Sequence, residues 1–195
     1  MNLVHVLFKF AINPYIGVEI DTTSGSGKYK DLSPFVLRAT RYGSRNFENL
    51  WQYSKVYPEF LDNNGNVIRD KWEEWRACGF NSESAHRYPM GKGRIPCFSL
   101  WNGRRLGYIE ARKIIYAPIY AELVQETESF KLLKEIYESG QVLILRDYDA
   151  YDHIKEGMSL KSVIDNPKRK CGHAFVIAMI LQRELEDCIS LSRTK

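Results

Sequence analysis

No apolar run in this 195-residue chain approaches the eighteen or so residues that a membrane-spanning helix needs. The longest apolar stretch near the C-terminus, Ala174 to Leu181, is too short. The core must therefore be assembled from short pieces packed against one another, which points to one soluble domain across residues 1–195. A chain of this length buries a core without disulfide staples. Hydrophobic residues at 44% and charged residues at 27% exclude wholesale disorder.

The pieces alternate between two periodicities. Leu3–Phe10 and Ile16–Ile20 are rich in β-branched and aromatic residues and read as strands, with Asn13-Pro14 as the turn of an N-terminal hairpin. The polar, glycine-rich stretch 22–33 reads as a mobile connection. Its Gly-Ser-Gly-Lys lacks the spacing of a phosphate loop, because Thr22 stands where the first glycine belongs and Tyr29 follows the lysine. Asn46 caps a helix that runs through Glu48 to about Tyr57, where Pro58 stops it. Asp70 starts a short helix that holds Trp72 and Trp75. Residues 87–107 read mostly as loop. A helix kinked at Pro118 covers 108–124, another covers 128–139 with Gly140 as its stop, and Val142–Leu145 is a short buried strand. Residues 146–171 read as irregular and polar, and a last helix covers 172–189. The class is α+β, mainly helical.

The charge is mildly basic: 28 Lys and Arg against 24 Asp and Glu give +4. This permits an anionic ligand without demanding one. Basic residues cluster around Arg38, Arg41 and Arg45, from Arg87 to Lys113, and at Lys168-Arg169-Lys170. Each cluster reads either as solvated surface or as one part of a phosphate-binding surface. Cys78, Cys97, Cys171 and Cys188 are widely spaced, with no Cys-x-x-Cys, so reduced thiols in a cytoplasmic protein are expected, without metal or cofactor. The N-terminus lacks the pattern of a signal peptide.

The segment richest in chemistry is Phe47-Glu48-Asn49-Leu50-Trp51-Gln52-Tyr53-Ser54-Lys55. On a helix, Glu48, Gln52 and Lys55 fall within about 40° of one another, while Phe47, Leu50 and Tyr53 point broadly the other way. This stripe reads either as a solvated polar face or as a group of side chains able to hold a sugar. Asp152 reads as a second carboxylate or as a loop cap, Arg112 as a phosphate ligand or as half of an ion pair with Glu110 or Glu122. Trp101 reads as a base-stacking ring or as core, and His153 and His173 as proton carriers or plain polar residues. Tyr116 and Tyr120, one turn apart, read as core.

The same string resembles the signature helix of the NADAR, or YbiA-like, family, Glu-His-x-Phe-Gln-Ala-x-Lys. Glu48, Gln52 and Lys55 match it in identity and spacing, Trp51 stands for its Phe and Asn49 for its His. The resemblance continues in order through Ser84-Ala85-His86-Arg87, Trp101 followed by Arg112, Ser139 to Leu145, Tyr151-Asp152-His153-Ile154, and His173 to Leu185. It covers about 35–186. It departs where Lys155-Glu156 replace the family's Trp-Gly and His173 replaces an Asn.

The resemblance implies an N-glycosidase that breaks a ribosyl C1′–N bond. Its catalytic residues would be Glu48, Lys55 and Asp152, and Gln52, Trp51, Arg112, Trp101 and His173 would bind substrate. The expected reaction is removal of ADP-ribose from guanine in nucleic acid. Two alternatives stay open: hydrolysis of ribosyl-pyrimidine phosphates of the riboflavin pathway, a nucleotide-like small molecule, and a non-catalytic ADP-ribose-binding module. No membrane partner is expected.

Overall fold

The computed structural model describes residues 4–191. Its strands are Val4–Phe8 (β1), Val18–Asp21 (β2), Lys55–Val56 (β3), Phe98–Trp101 (β4), Arg104–Leu106 (β5) and Leu143–Asp147 (β6). Its α-helices are Phe47–Tyr53 (α1), Arg69–Asn81 (α2), Tyr108–Ala111 (α3), Ala117–Val124 (α4), Glu128–Glu138 (α5), Leu160–Ile164 (α6), His173–Leu181 (α7) and Leu185–Ile189 (α8). The α+β class stands, and no described helix is long and apolar enough to cross a membrane.

The expected N-terminal hairpin does not form; Leu3, its first residue, lies outside the described residues. Both β1 and β2 run parallel to β6, one on each of its edges, and Val4 and Val18 both sit opposite Leu143. The reason lies in β6: all five of its residues are buried, so both of its edges need backbone partners. Arg146, in its middle, ties the crossing segment down. Its guanidinium donates to the carbonyls of Phe8 (3.1 Å) and Ala11 (2.7 Å) and to Glu19 (2.7 Å). Gly17 is needed at the entry to β2, because a Cβ there would stand 2.5 Å from the carbonyl oxygen of Val142.

α7 is buried on nearly every side and packs on the sheet against β1 and β6, with α4 beside it. The kink expected at Pro118 takes the form of a π turn over Arg112–Tyr116, closed by the Ala117 N–H donating to the carbonyl of Arg112. It widens the helix one turn before the residue that has no N–H to give. A second, antiparallel sheet of order β3-β4-β5 packs over Tyr57, Phe60, Trp72 and Leu100. Residues 87–107 therefore contain two short strands where loop was expected, and residues 146–171 contain α6. The long C-terminal helix is two helices, broken at Arg183 with φ +61°.

Candidate active site

α1 is short and wholly buried. Asn46 caps it as expected, accepting from the Asn49 N–H at 2.9 Å. Glu48 is 6% exposed and Gln52 8%, so the solvated polar face is excluded, and buried polar groups need partners. They have each other: Gln52 Nε2 donates to Glu48 Oε1 (2.9 Å), and Lys55 Nζ donates to Gln52 Oε1 (2.7 Å). The amide thus bridges carboxylate and ammonium.

The helix ends at Tyr53, not near Tyr57, and Lys55 belongs to β3, opposite Ser99. The trio therefore meets at a helix-to-strand junction rather than along one helical stripe. Lys55 also lies 4.7 Å above the Trp51 ring. Packing leaves little freedom here: a Cβ on Gly79 of α2 would stand 2.2 Å from the Tyr53 ring.

The trio opens into a cavity of about 540 Å3 at the carboxyl ends of the three parallel strands. This is where open parallel sheets place ligands, beside the strand at which chain direction divides. Trp51, Tyr116, Arg87, Arg112, Lys170 and His173 also line it, with Asp147, the last residue of β6, and Asp149 just beyond it. Thr23 lines it too. The start of the glycine-rich stretch is fastened down, with Thr22 Oγ1 donating to the Arg146 carbonyl (2.8 Å).

Burial pushes the Glu48 carboxyl above the usual carboxylate range, against the Gln52 hydrogen bond and the charges of Lys55 and Arg87. Burial also lowers the Lys55 ammonium to about 8, although the charges of Glu48 and Asp149 oppose the fall. Burial raises the Tyr116 phenol, and the nearby charges of Asp147 and Glu48 raise it further.

Asp147 and His173 form a clamp. His173 Nδ1 meets Asp147 Oδ2 at 3.2 Å, and Nε2 lies 2.9 Å from the Thr22 carbonyl, an oxygen that only accepts. Both ring nitrogens therefore carry protons against a charged Asp147. Burial opposes the imidazolium, but the Asp147 charge and hydrogen bond outweigh it and raise the pKa. Burial likewise disfavours the Asp147 carboxylate, but His173 and the backbone N–H groups of Asp149 and Ala174 hold it below its ordinary value. His173 thus faces the cavity with both ring nitrogens engaged by the protein.

Two expected site residues lie elsewhere. Asp152 is absent from the cavity wall; it accepts from the Tyr15 hydroxyl (2.6 Å) and the Lys155 N–H (3.1 Å), as a loop cap does. Trp101, on β4, packs against the main core. Arg112 reaches the cavity, but not through an ion pair with Glu110 or Glu122. Its guanidinium donates to the carbonyls of Ile164, Asn166 and Arg169 and to the Tyr108 hydroxyl, pinning the loop after α6. Of the basic clusters, Arg38, Arg41 and Arg45 pair with surface glutamates away from the cavity, while Arg87, Arg94, Arg112 and Lys170 line it, Arg94 paired with Glu59 and Arg87 and Lys170 with Asp149.

Sequence reasoning missed Asp147, Asp149 and Tyr116. The signal was the position of the two acids just after a buried apolar strand, but they were read as a crowded polar loop. It also missed Asn49, whose amide donates to the Ser84 carbonyl (2.8 Å) and accepts from the His86 N–H (2.8 Å). That clamp sets where Arg87 enters the cavity. All four cysteines are free thiols. Comparison with protein-family models, with curated proteins and with solved structures returned no match.

Proposed function

We propose that this chain is an N-glycosidase that hydrolyses a ribosyl C1′–N bond, with ADP-ribose on guanine in nucleic acid as its substrate. The observation that carries this reading is the buried Glu48–Gln52–Lys55 chain opening into the cavity. Breaking a C1′–N bond builds positive charge at C1′ and needs a proton on the departing nitrogen. A buried carboxyl whose pKa is pushed upward suits the second need, and when ionised it suits the first.

Lys55 supports a covalent variant. With its pKa near 8, about one molecule in ten carries a neutral amine at pH 7. That amine can attack C1′ as the C1′–N bond breaks and the base leaves with that electron pair and a proton; loss of the amine proton and opening of the ring C1′–O bond, whose oxygen takes up a proton, then give a Schiff base with the opened sugar. Gln52 orients both groups.

The rest of the wall favours a nucleotide-like ligand with more than one phosphate. Arg87, Arg94, Arg112 and Lys170 surround a space within the range of small-molecule sites. Tyr88, Tyr108 and Tyr148, each about half exposed, stand at its edge. Tyr148 continues outward through Phe10 and Phe8 in edge-to-face contacts of 5.9 and 5.8 Å, an aromatic surface suited to unstacked bases.

The test incubates the protein with a DNA oligonucleotide that carries ADP-ribosyl-guanine, and in parallel with a ribosyl-pyrimidine phosphate, and follows release of sugar and base. Release from the DNA is expected. Release only from the pyrimidine would reassign the substrate, and binding of ADP-ribose without turnover of either would make the chain a binding module.

A further inference from the structure

We infer that Asp149 is the second carboxylate of the reaction, the group that takes the proton of the water attacking C1′. This rests on the N-glycosidase reading above.

Three carboxylates line the cavity: Glu48, Asp147 and Asp149. Asp147 is spent on structure. Its Oδ1 accepts from the Asp149 N–H (3.2 Å), and its Oδ2 faces His173 and the Ala174 N–H. Glu48 is the buried group bonded to Gln52. Asp149 differs from both. Its Oδ1 accepts from Arg87 Nη2 (2.5 Å) and Lys170 Nζ (2.8 Å), while its Oδ2 takes no hydrogen bond from the described residues. Two cations hold one oxygen and leave the other without a hydrogen bond from the described residues. The Asp149 side chain is 29% exposed, open enough to meet water. Its charge also reaches both Glu48 and Lys55, so the groups share one site. One carboxyl sits in a buried wall with an amide as its bonded neighbour, and the other is part exposed and held by two cations through one oxygen. Such a pair divides into acid and base.

The step balances as follows. Water oxygen bonds to C1′ as the C1′–N bond breaks, and that electron pair stays on the departing nitrogen. Glu48 gives the nitrogen a proton, and Asp149 takes one from the water. Solvent returns both groups to their starting states.

Azide separates catalysis from positioning, because it attacks C1′ as an anion and needs no base. On the ADP-ribosyl-guanine oligonucleotide, Asp149→Ala is expected to lower kcat by at least about 100-fold with KM changed by less than about threefold. Sodium azide is expected to restore turnover in this variant and to give the ribosyl azide, while leaving Glu48→Gln unrescued. Asp152→Asn is expected to stay within about threefold of wild type. Asp149→Asn keeps an oxygen for Arg87 and Lys170 but cannot take a proton, and it is expected to lose kcat as the alanine form does and to be rescued by azide; this variant decides the matter if the alanine form does not fold.

A loss at Asp149 no larger than at Asp152, a loss confined to KM without azide rescue, or an Asp149→Asn variant that stays within about threefold of wild type would each overturn the assignment while the glycosidase reading stands. A wild-type chain that turns over no ribosyl substrate would remove the reading itself and this inference with it.

Discussion

A carboxylate that is 6% exposed on a seven-residue helix, with one amide as its bonded neighbour, is costly to keep for stability alone. Glu48→Gln is nearly isosteric and removes that burden. It is expected to leave the melting temperature unchanged or higher and to lower kcat by roughly 100- to 1,000-fold, the range for losing one charge that faces a developing cation. Thermal melts and steady-state rates on the same samples check both halves, and turnover within a few-fold of wild type would take Glu48 out of the mechanism. Lys55 divides two chemistries. If its amine attacks C1′, borohydride added during turnover traps a sugar adduct on Lys55, and Lys55→Arg, which keeps charge but not nucleophilicity, yields none. Mass spectrometry of the tryptic peptide decides this; an adduct on another lysine would rule out the covalent role of Lys55.

The joints between elements are tighter than the elements themselves. Gly172, at the N-terminus of α7, has no room for a methyl group, since a Cβ would fall 2.0 Å from Asp147 Oδ2. Gly172→Ala must push α7 away from β6 or break the Asp147–His173 clamp. A destabilisation of about 1–3 kcal/mol is expected from chemical denaturation, with loss of activity larger than the stability loss explains, because the same contact shapes the cavity wall.

Elements with local signals were legible in the sequence. Asn46 announces the start of α1, Gly140 with φ +94° follows α5, and the apolar run from Ala174 marks α7. What failed was whatever depends on distant partners. β1 and β2 look like a hairpin because nothing local reveals that β6 will separate them. Lys55 looks helical because its partner, Ser99, lies in a segment rich in glycine and proline that resembles loop. The trio survived the loss of its helical stripe because a turn into a strand keeps residues three and four apart within reach. Asp152 and Asp149 differ only in which way the chain turns after β6, and no periodicity encodes that.

At the scale of the molecule, acid acts through a buried pair of imidazoles. His5 and His153 are both nearly inaccessible, each with an Nδ1 that has no hydrogen-bond partner among the described residues, and His5 stacks on Tyr15 at 3.5 Å. Burial lowers both, His153 to about 4, although the charge of Asp152 opposes the shift. Between that value and the ordinary 6.5 the unfolded chain binds the proton that the folded chain refuses, so stability falls as pH falls through this window. His153 alone is expected to cost about 2 kcal/mol between pH 7 and pH 5. His173 has the opposite sign, since its raised pKa adds stability in acid that is lost as pH rises. Comparing the pH dependence of urea midpoints for wild type and His153→Gln isolates the His153 part; equal slopes would show that it titrates normally.

The parallel arrangement around β6 also sets a timetable for the nascent chain. The strand that pairs with both Val4–Phe8 and Val18–Asp21 is more than a hundred residues further along. At ordinary rates of synthesis, roughly 5–20 residues per second, the first two strands wait on the order of ten seconds on the ribosome with their backbone groups unpaired. During that interval Val-His-Val-Leu-Phe is an apolar β-former still without the strand it pairs with in the fold. The cavity cannot be complete before Asp147 and Asp149 emerge. Synthesis thus delivers Glu48 and Lys55 first and Asp147 and Asp149 last.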